Sequence, residues 1–340
     1  MNVMLKDENA IYYECGYSCD NAVYLRLGKE AFFITDSRYT LDAREHVRNA
    51  EVIIDRDLYG RAAALIEQAG IRNILFDPKE WSVAGFERIK GVCKKVTFVA
   101  TPDYSHKKRI VKRDDEIEKL ATAVKLGKKA FKRFAEAVWK EGIGKDEYYL
   151  HYLAQSVMSD FGHYALSFDP IVAINANAAK PHAHPTDTRL CEGDLLLFDA
   201  GLKFERYCSD RTRTALVKEG FRFKKTQHFG KKKIQKAYDA VLKAHDRAIA
   251  KARTGMKAKK IDALAREVIE KAGFGEYFVH STGHGVGLDI HEMPYISAKS
   301  KTRIEDGMVF TIEPGIYIPG AFGIRIEDMV VMREGRAEVL

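Results

Sequence analysis

The pattern of hydrophobic and polar positions divides the chain into two parts that meet near residue 110. The first part alternates short β-rich runs with helical stretches, which is typical of a small α/β domain. We predict strands over 31–35, 73–76 and 95–100, and helices over 61–69 and 81–90. We therefore predict an α/β domain over residues 1–110 and a second domain over residues 111–340.

The second part begins with a long amphipathic helix. Asp114 is a plausible N-cap, and the apolar residues that follow have close to helical spacing. Gly142 and Gly144 end this pattern, and further helices are predicted over 145–160 and 234–252. The helical spacing is carried by Ile117, Leu120, Val124, Phe131, Phe134 and Val138.

Two segments after residue 190 predict a β-hairpin that carries two acids. The runs 194–201 and 207–217 are strand-like, with a turn expected over 203–206. This register would place Asp199 opposite Asp210. Side chains at directly opposed positions point to the same face, with Cβ atoms about 5 Å apart.

A second hairpin repeats the arrangement near the carboxy terminus. The runs 308–318 and 323–332 are β-rich, and Pro319 and Gly320 mark a turn between them. Glu313 and Glu327 then face each other across this hairpin.

Four carboxylates on two hairpins, together with a histidine, suggest a metal site. Like charges this close repel one another, so a shared face requires cations. Two divalent ions with a bridging water would supply a hydroxide nucleophile at neutral pH. The alternative is a pair of ordinary hairpins with solvated acids, which the apolar neighbours Phe198, Ile312 and Ile326 disfavour. Such a donor set suits manganese, and cobalt, iron or zinc also fit.

Several histidines lie in or near a glycine-rich stretch. His280, His284 and His291 fall within FVHSTGHGVGLDIHE. The HxxxH spacing superficially resembles a helical zinc motif, but the glycines disfavour a helix and no glutamate follows the first histidine. We expect an irregular strand or loop that presents imidazoles to one cavity. His182 lies upstream of the first hairpin and has little weight by itself.

Composition and charge exclude some partners. The net charge is +8, and much of it lies in 222–236, which we interpret as a solvated loop leading into a helix rather than a nucleic-acid contact. No apolar run is long enough to span a membrane, and the amino terminus lacks the features of a signal peptide. The five cysteines form an odd, scattered set without CxxC, which is typical of reduced cytoplasmic thiols.

The motifs, taken in order, resemble those of the pita-bread metallopeptidases. They are FDAG, SDRTRT, TGHGVGLDIHE, TIEPG and RIED, spread over residues 111–340. The segment 34–45, ITDSRYTLDARE, resembles the extra domain of the proline-specific branch, which contains aminopeptidase P and prolidase. The resemblance implies an α+β fold, with a small amino-terminal α/β domain followed by a pita-bread catalytic domain.

The resemblance also implies the role of each site residue. Asp199 would bind the first metal, Asp210 and Glu327 would bridge both, and His284 and Glu313 would complete the second. The hydroxide would attack the carbonyl of an Xaa–Pro bond. Glu313 would pass on the proton, and His291 would stabilise the tetrahedral oxygen.

Three further residues complete the implied site. His182 and His280 would line the substrate pocket, and Arg325 would orient an acidic ligand or the peptide terminus. Manganese or cobalt is implied as the metal, and a homodimer as the assembly.

The sequence leaves other interpretations of the function open. The motifs do not separate a dipeptidase from an aminopeptidase. Methionine aminopeptidase shares the ligands but typically lacks an amino-terminal domain of this size. Creatinase-like hydrolases work without metals and lack the full ligand set. A binding protein on the same fold, contacting RNA through 222–236, would be expected to have lost ligands.

Overall fold

A computed structural model describes all 340 residues of the chain. The residues form two compact units, Met1–Arg109 and Ile110–Leu340.

The amino-terminal unit is a mixed six-stranded sheet with helices. The strand order is β4-β3-β2-β1-β5-β6, in which β1, β2 and β3 pair antiparallel and the other pairs are parallel. The strands are β1 (Val3–Leu5), β2 (Ala22–Leu27), β3 (Glu30–Thr35), β4 (Glu51–Ile54), β5 (Asn73–Phe76) and β6 (Thr97–Ala100). The helices are α1 (Glu8–Cys15), α2 (Thr40–His46), α3 (Leu58–Gln68), α4 (Val83–Val92) and α5 (Tyr104–Arg109).

Capping side chains explain where the helices of this unit begin. The Asp57 carboxylate accepts a hydrogen bond from the Gly60 N–H (2.9 Å), so α3 begins three residues before the predicted helix. Ser82 caps α4 in the same way through Gly85, so that helix begins two residues after the predicted start.

The carboxy-terminal unit contains two larger antiparallel sheets, two hairpins and four helices. The sheet orders are β11-β8-β7 and β13-β12-β14-β17-β18, and the separate hairpins are β9-β10 and β15-β16. The helices are α6 (Asp114–Ala137), α7 (Glu147–Met158), α8 (Lys232–Lys251) and α9 (Ala258–Lys271). The strands are β7 (Ile171–Ile174), β8 (Leu195–Asp199), β9 (Lys203–Phe204), β10 (Tyr207–Cys208), β11 (Thr212–Leu216), β12 (Gly283–Gly285), β13 (Glu292–Ile296), β14 (Val309–Ile312), β15 (Gly315–Ile318), β16 (Phe322–Arg325), β17 (Asp328–Arg333) and β18 (Arg336–Val339).

The start of α6 corrects one prediction. Asp114 is the first helical residue, and Arg113 occupies the cap position. The Glu116 carboxylate accepts the Arg113 N–H (3.0 Å) and so replaces the expected cap. The acidic first turn also suits the positive end of the helix dipole.

Strand β8 is buried on both faces, which explains why the run before Asp199 is continuously apolar. Leu195 and Leu197 belong to the core formed with α8 and α9. Leu196 and Phe198 belong to the core formed with α6 and α7. Phe198 packs against two phenylalanines of α6, Phe131 and Phe134, with ring centroids 4.3 and 4.1 Å away. This packing fixes the end of the strand where Asp199 lies.

The first hairpin has a different register from the predicted one. Its two-residue turn is Glu205 and Arg206, which both have positive φ (46° and 72°), as a type I′ turn requires. Thr212, not Asp210, is therefore directly opposite Asp199. The predicted turn lies one residue too early, and this displaces the pairing by two residues. Because side chains alternate with period two, Asp210 keeps the face of Asp199.

The second hairpin has the predicted register. Ile312 pairs with Asp328, and Gly315 pairs with Arg325, so the same register on both sides sets Glu313 against Glu327. The turn lies at Pro319 to Ala321, between β15 and β16.

The first part of the basic segment, 222–231, is a loop that leads into α8, and α8 begins two residues before the predicted start at 234. Phe223 and Phe229 are buried, and the Tyr238 hydroxyl donates a hydrogen bond to the Lys225 carbonyl (2.7 Å). Lys225 also pairs with Asp246 on α8. Among the helices, none combines the length and apolar character needed to cross a membrane.

Candidate active site

All predicted site residues line one cavity of about 410 Å³ in the carboxy-terminal unit. The cavity lies where the ends of β8, β12 and β16 meet the segments around them. The nine residues are His182, Asp199, Asp210, His280, His284, His291, Glu313, Arg325 and Glu327.

The glycine-rich stretch forms a strand that only glycine permits. β12 lies between β13 and β14. A Cβ at Gly283 would lie 1.9 Å from the Thr311 carbonyl oxygen, and one at Gly285 would lie 2.2 Å from the Met293 carbonyl oxygen. The two glycines allow the neighbouring backbones to approach, and His284 between them projects into the cavity. The prediction of an irregular strand or loop rather than a helix is confirmed, since only Gly283–Gly285 form a strand and residues 286–291 after it are irregular.

Three of the predicted ligands form a tight group. Ligand atoms of Asp210, His284 and Glu327 all lie within 4.8 Å of one another. His284 Nε2 is 3.6 Å from Asp210 Oδ2 and 3.4 Å from Glu313 Oε1. Asp210, His284 and Glu327 therefore converge on one point, and Glu313 lies beside His284.

The hydrogen bonds of His284 leave one ring nitrogen available. Its Nδ1 donates to the Gly285 carbonyl (3.1 Å), which assigns the proton to that nitrogen. Burial and, after it, the neighbouring His291 lower the pKa of His284 to about 3. The neutral ring directs the lone pair of Nε2 at the carboxylates, as a metal-ligating imidazole does.

The acids raise the pKa of one another. Burial raises the pKa of Asp210 well above its usual range, and Glu327 and Asp199 add to the rise. Burial likewise raises the pKa of Glu327, with Glu313 as the next cause. Burial raises the pKa of Glu313 to about 7, although Arg325 opposes the rise. The protein alone does not supply enough positive charge for this cluster.

Asp199 provides a direct test of whether the site fits a cation. Its Oδ2 accepts a hydrogen bond from Arg325 Nη2 (2.5 Å), but its Oδ1 is buried and has no hydrogen-bond partner. An unpartnered buried carboxylate oxygen is costly. Together with three further acids and an available imidazole nitrogen, it is the donor set that divalent cations require. The residues present therefore fit a metal centre.

Arg325 is almost fully buried and is held by the protein on every side. Its Nε donates to Thr212 Oγ1 (2.9 Å), and its Nη1 donates to the Tyr317 hydroxyl (2.8 Å). The Tyr317 hydroxyl in turn lies 2.8 Å from His280 Nε2, and His280 Nδ1 lies 2.7 Å from the Ser281 carbonyl. Since a carbonyl only accepts, His280 donates through Nδ1 and accepts from Tyr317 through Nε2. This chain of contacts joins one wall of the cavity to Asp199.

The two remaining predicted residues lie beside the cluster. The ring of His291 meets that of His284 at 4.3 Å between centroids, with an interplanar angle of 72°. Burial lowers the pKa of His291, and His182 contributes in the same direction. His182 lies in the cavity lining but is itself exposed.

Sequence reasoning missed several residues of the site. Tyr317 lies four residues after Glu313, and Thr212 lies two residues after Asp210. Because side chains alternate between the two faces of a strand, an even spacing places both residues on one face, and this was an available signal. Thr212 donates to Glu327 Oε2 (2.7 Å). His151 and His184 also line the cavity, but nothing in their local sequence marks them.

Comparisons with known proteins agree with this geometry. The sequence profile of metallopeptidase family M24 matches residues 118–334, and that of the creatinase/prolidase N-terminal domain matches residues 2–111. An uncharacterised peptidase of Bacillus subtilis is 32% identical over 333 residues, covering 98% of this chain and 91% of that protein.

Solved structures also resemble this chain over nearly its whole length. A structure described as an Xaa-Pro dipeptidase from Bacillus anthracis has a TM-score of 0.90 and 32% identity, covering 99% of this chain and 92% of its own. One described as an X-Pro aminopeptidase from Thermotoga maritima has a TM-score of 0.88 and 31% identity, covering 99% and 94%. The predicted fold class, an α/β domain followed by a pita-bread catalytic domain, is confirmed. The chain belongs to metallopeptidase family M24.

Proposed function

We propose that the chain is a two-metal peptidase that hydrolyses the Xaa–Pro bond of short peptides. The observation that carries the proposal is the convergence of three buried acids, the partly buried Glu313 and His284 on one cavity, where Asp199 Oδ1 has no partner within the protein. The names of the similar structures, one a dipeptidase and one an aminopeptidase acting on Xaa–Pro, support this substrate class.

In this proposal five side chains hold the metals: Asp199, Asp210, His284, Glu313 and Glu327. When bound, two divalent ions lower the pKa of water and polarise a carbonyl group, which is the chemistry that amide hydrolysis needs. The carboxylates would exchange their mutual repulsion for cation contacts. Manganese stays the preferred prediction because oxygen donors dominate the set.

One of these five ligands and three further residues move protons and orient the substrate. Glu313 would accept the proton of the attacking water and deliver it to the proline nitrogen. His291, beside His284, would donate a hydrogen bond to the oxygen of the tetrahedral intermediate. His182 and His280 would contact the peptide.

Arg325 has a more specific role in this proposal than substrate binding alone. Its guanidinium donates hydrogen bonds to Asp199 and to the Tyr317 hydroxyl. It would therefore orient the metal-binding carboxylate of Asp199 and, through Tyr317, the side chain of His280. Four of the five guanidinium N–H groups donate to Thr212, Pro181, Tyr317 and Asp199, so the second N–H of Nη2 is the one that could contact a peptide terminus. Substrate contact by Arg325 stays a prediction, as do the homodimer and the cytoplasmic location.

The experiment is hydrolysis of Ala-Pro and Ala-Pro-Ala by protein supplied with Mn²⁺, with Ala-Ala as the control. Cleavage of Ala-Pro alone identifies a dipeptidase, and cleavage of Ala-Pro-Ala identifies an aminopeptidase. Inactivity on both proline peptides, or equal cleavage of Ala-Ala, would overturn the proposal.

A further inference from the structure

One acid of the cavity wall, Asp169, has no part in the metal cluster. It lies in the segment just before β7, and its side chain is 75% exposed. Two side chains of α7 hold its Oδ1: Gln155 Nε2 at 2.9 Å and His151 Nε2 at 3.2 Å. An exposed carboxylate is normally mobile, but this one accepts a hydrogen bond from Gln155 and lies at ion-pair distance from His151, and both residues are on α7.

Gln155 and His151 orient the Asp169 carboxylate without neutralising its negative charge. Gln155 contributes a neutral amide. The Nδ1 atom of His151 is buried and has no hydrogen-bond partner, so a proton placed there would be a buried unsatisfied donor. The tautomer that carries its proton on Nε2 fits both this observation and the contact with Asp169. The negative charge therefore remains available on the cavity side.

Asp169 lies near the end of the cavity that contains Asp199 and the other proposed metal ligands. Ile171, two residues further along, pairs directly with Asp199 across β7 and β8. Two extended residues span about 7 Å, which is within the reach of one long side chain. Phe168 and Tyr295 line the same cavity and offer apolar surface for the stem of such a side chain.

We propose that Asp169 forms a subsite for a cationic side chain on the residue that precedes the scissile bond. Lysine–proline and arginine–proline peptides are then the favoured substrate class. The inference rests on the proposed function, because the cavity must first accept an Xaa–Pro peptide. His151 and Gln155 are positioning residues for this carboxylate.

The test compares kcat/KM for Lys-Pro with that for Met-Pro, whose side chain is neutral and of similar length. The ratio should fall about fivefold in Asp169→Asn, since partly exposed ion pairs contribute about 1 kcal/mol. Added NaCl should lower the ratio in the wild type more than in the variant. Asp169→Lys should instead raise the ratio of Glu-Pro to Met-Pro. Asp187→Asn, which removes an exposed acid outside the cavity lining, is the matched control.

The outcomes separate the two proposals. Met-Pro cleavage by the wild type with an unchanged Lys-Pro to Met-Pro ratio in Asp169→Asn overturns the subsite alone. An equal fall in Asp187→Asn would assign the effect to overall charge and also overturn it. If the wild type cleaves only tripeptides, Lys-Pro-Ala and Met-Pro-Ala replace the dipeptides in the same comparison. If it cleaves neither the dipeptides nor these tripeptides, the proposed function fails and the subsite fails with it.

Discussion

At the scale of single residues, the site is built from side chains that the protein leaves in an unfavourable state. Asp199 keeps an unpartnered oxygen, and burial raises the pKa of both Asp210 and Glu327. A folded protein retains such costs where function requires them. The cost is offset when cations occupy the cluster.

Asp210→Asn should therefore separate function from stability. We expect the rate of Xaa–Pro hydrolysis to fall about 1,000-fold or more, equivalent to about 4 kcal/mol. In the metal-free protein the thermal midpoint should stay level or rise, because the raised pKa of Asp210 shows that its charge opposes folding.

Steady-state kinetics and calorimetry of the same preparation measure both effects. Asp187→Asn serves as the control with an exposed acid. Near-normal turnover in Asp210→Asn would refute its place in the metal centre.

At the scale of elements, buried acids on helices hold the segments that carry the site. Glu147, at the start of α7, is fully buried and accepts four hydrogen bonds. Its Oε1 accepts from Ile174 N (2.6 Å), and its Oε2 accepts from Asn177 Nδ2 (2.7 Å) and from both N and Oγ1 of Thr186 (2.8 and 2.7 Å). These contacts fix both ends of the loop that contains His182.

Glu147→Gln should destabilise the fold by roughly 3 kcal/mol, because an amide leaves buried donors unsatisfied and places its own NH₂ against them. We also expect KM to rise more than kcat falls, because the loop that contains His182 would contact the peptide and holds none of the proposed metal ligands. Urea unfolding and steady-state kinetics provide the measurements. Glu141→Gln, on the exposed neighbouring turn, is the control, and equal stability of the two variants would contradict this role.

The helices and hairpins differ in how far the sequence predicts them. Apolar and β-rich runs bounded by turn residues located both acidic hairpins, because their strands are buried along most of their length. The period of 3.6 located the long helix α6, because only one face of that helix is buried. The first register was wrong by two residues, since the turn type depends on the positive φ of Glu205 and Arg206, which no pattern of apolar residues encodes. Glu147 was missed because an acid in a first helical turn is ordinarily a solvated residue.

A similar limit applies to the candidate site. The ligand set followed from motifs with unusual residues at fixed positions, and the structure brings all of these residues to one cavity. Asp169 required three-dimensional contacts to be recognised, because it interacts with residues of α7 that are distant in sequence. The strand period places Tyr317 on the face of Glu313, but it does not predict the partner of Tyr317. His280 is paired with Tyr317 across 37 positions.

At the scale of the whole molecule, the amino-terminal unit should make stability depend on pH. Burial raises the pKa of Glu80 to about 7, while its Oε2 accepts hydrogen bonds from the backbone N–H groups of Lys6 and Asp7. The folded state thus binds this proton more tightly than the unfolded chain does. Its contribution to stability is complete below the unfolded pKa, about 4.3, and is lost as pH rises through about 7.

We expect the free energy of unfolding to fall by on the order of 1–2 kcal/mol between pH 5 and pH 8 because of Glu80, and Glu80→Gln should remove this slope. Trp81 fluorescence in a Trp139→Phe background reports urea unfolding near Glu80, and Glu87→Gln is the exposed control. A slope that persists unchanged in Glu80→Gln would contradict the assignment.

The central claim is that the five clustered residues bind two ions on which Xaa–Pro hydrolysis depends. The most direct test is to titrate metal-free protein with Mn²⁺ while following the hydrolysis of Ala-Pro, with bound metal counted by elemental analysis. We predict no hydrolysis without metal, and a rate that rises and levels off at two ions per chain. Full activity of the metal-free protein, or no hydrolysis of either Ala-Pro or Ala-Pro-Ala at any loading, would contradict the account.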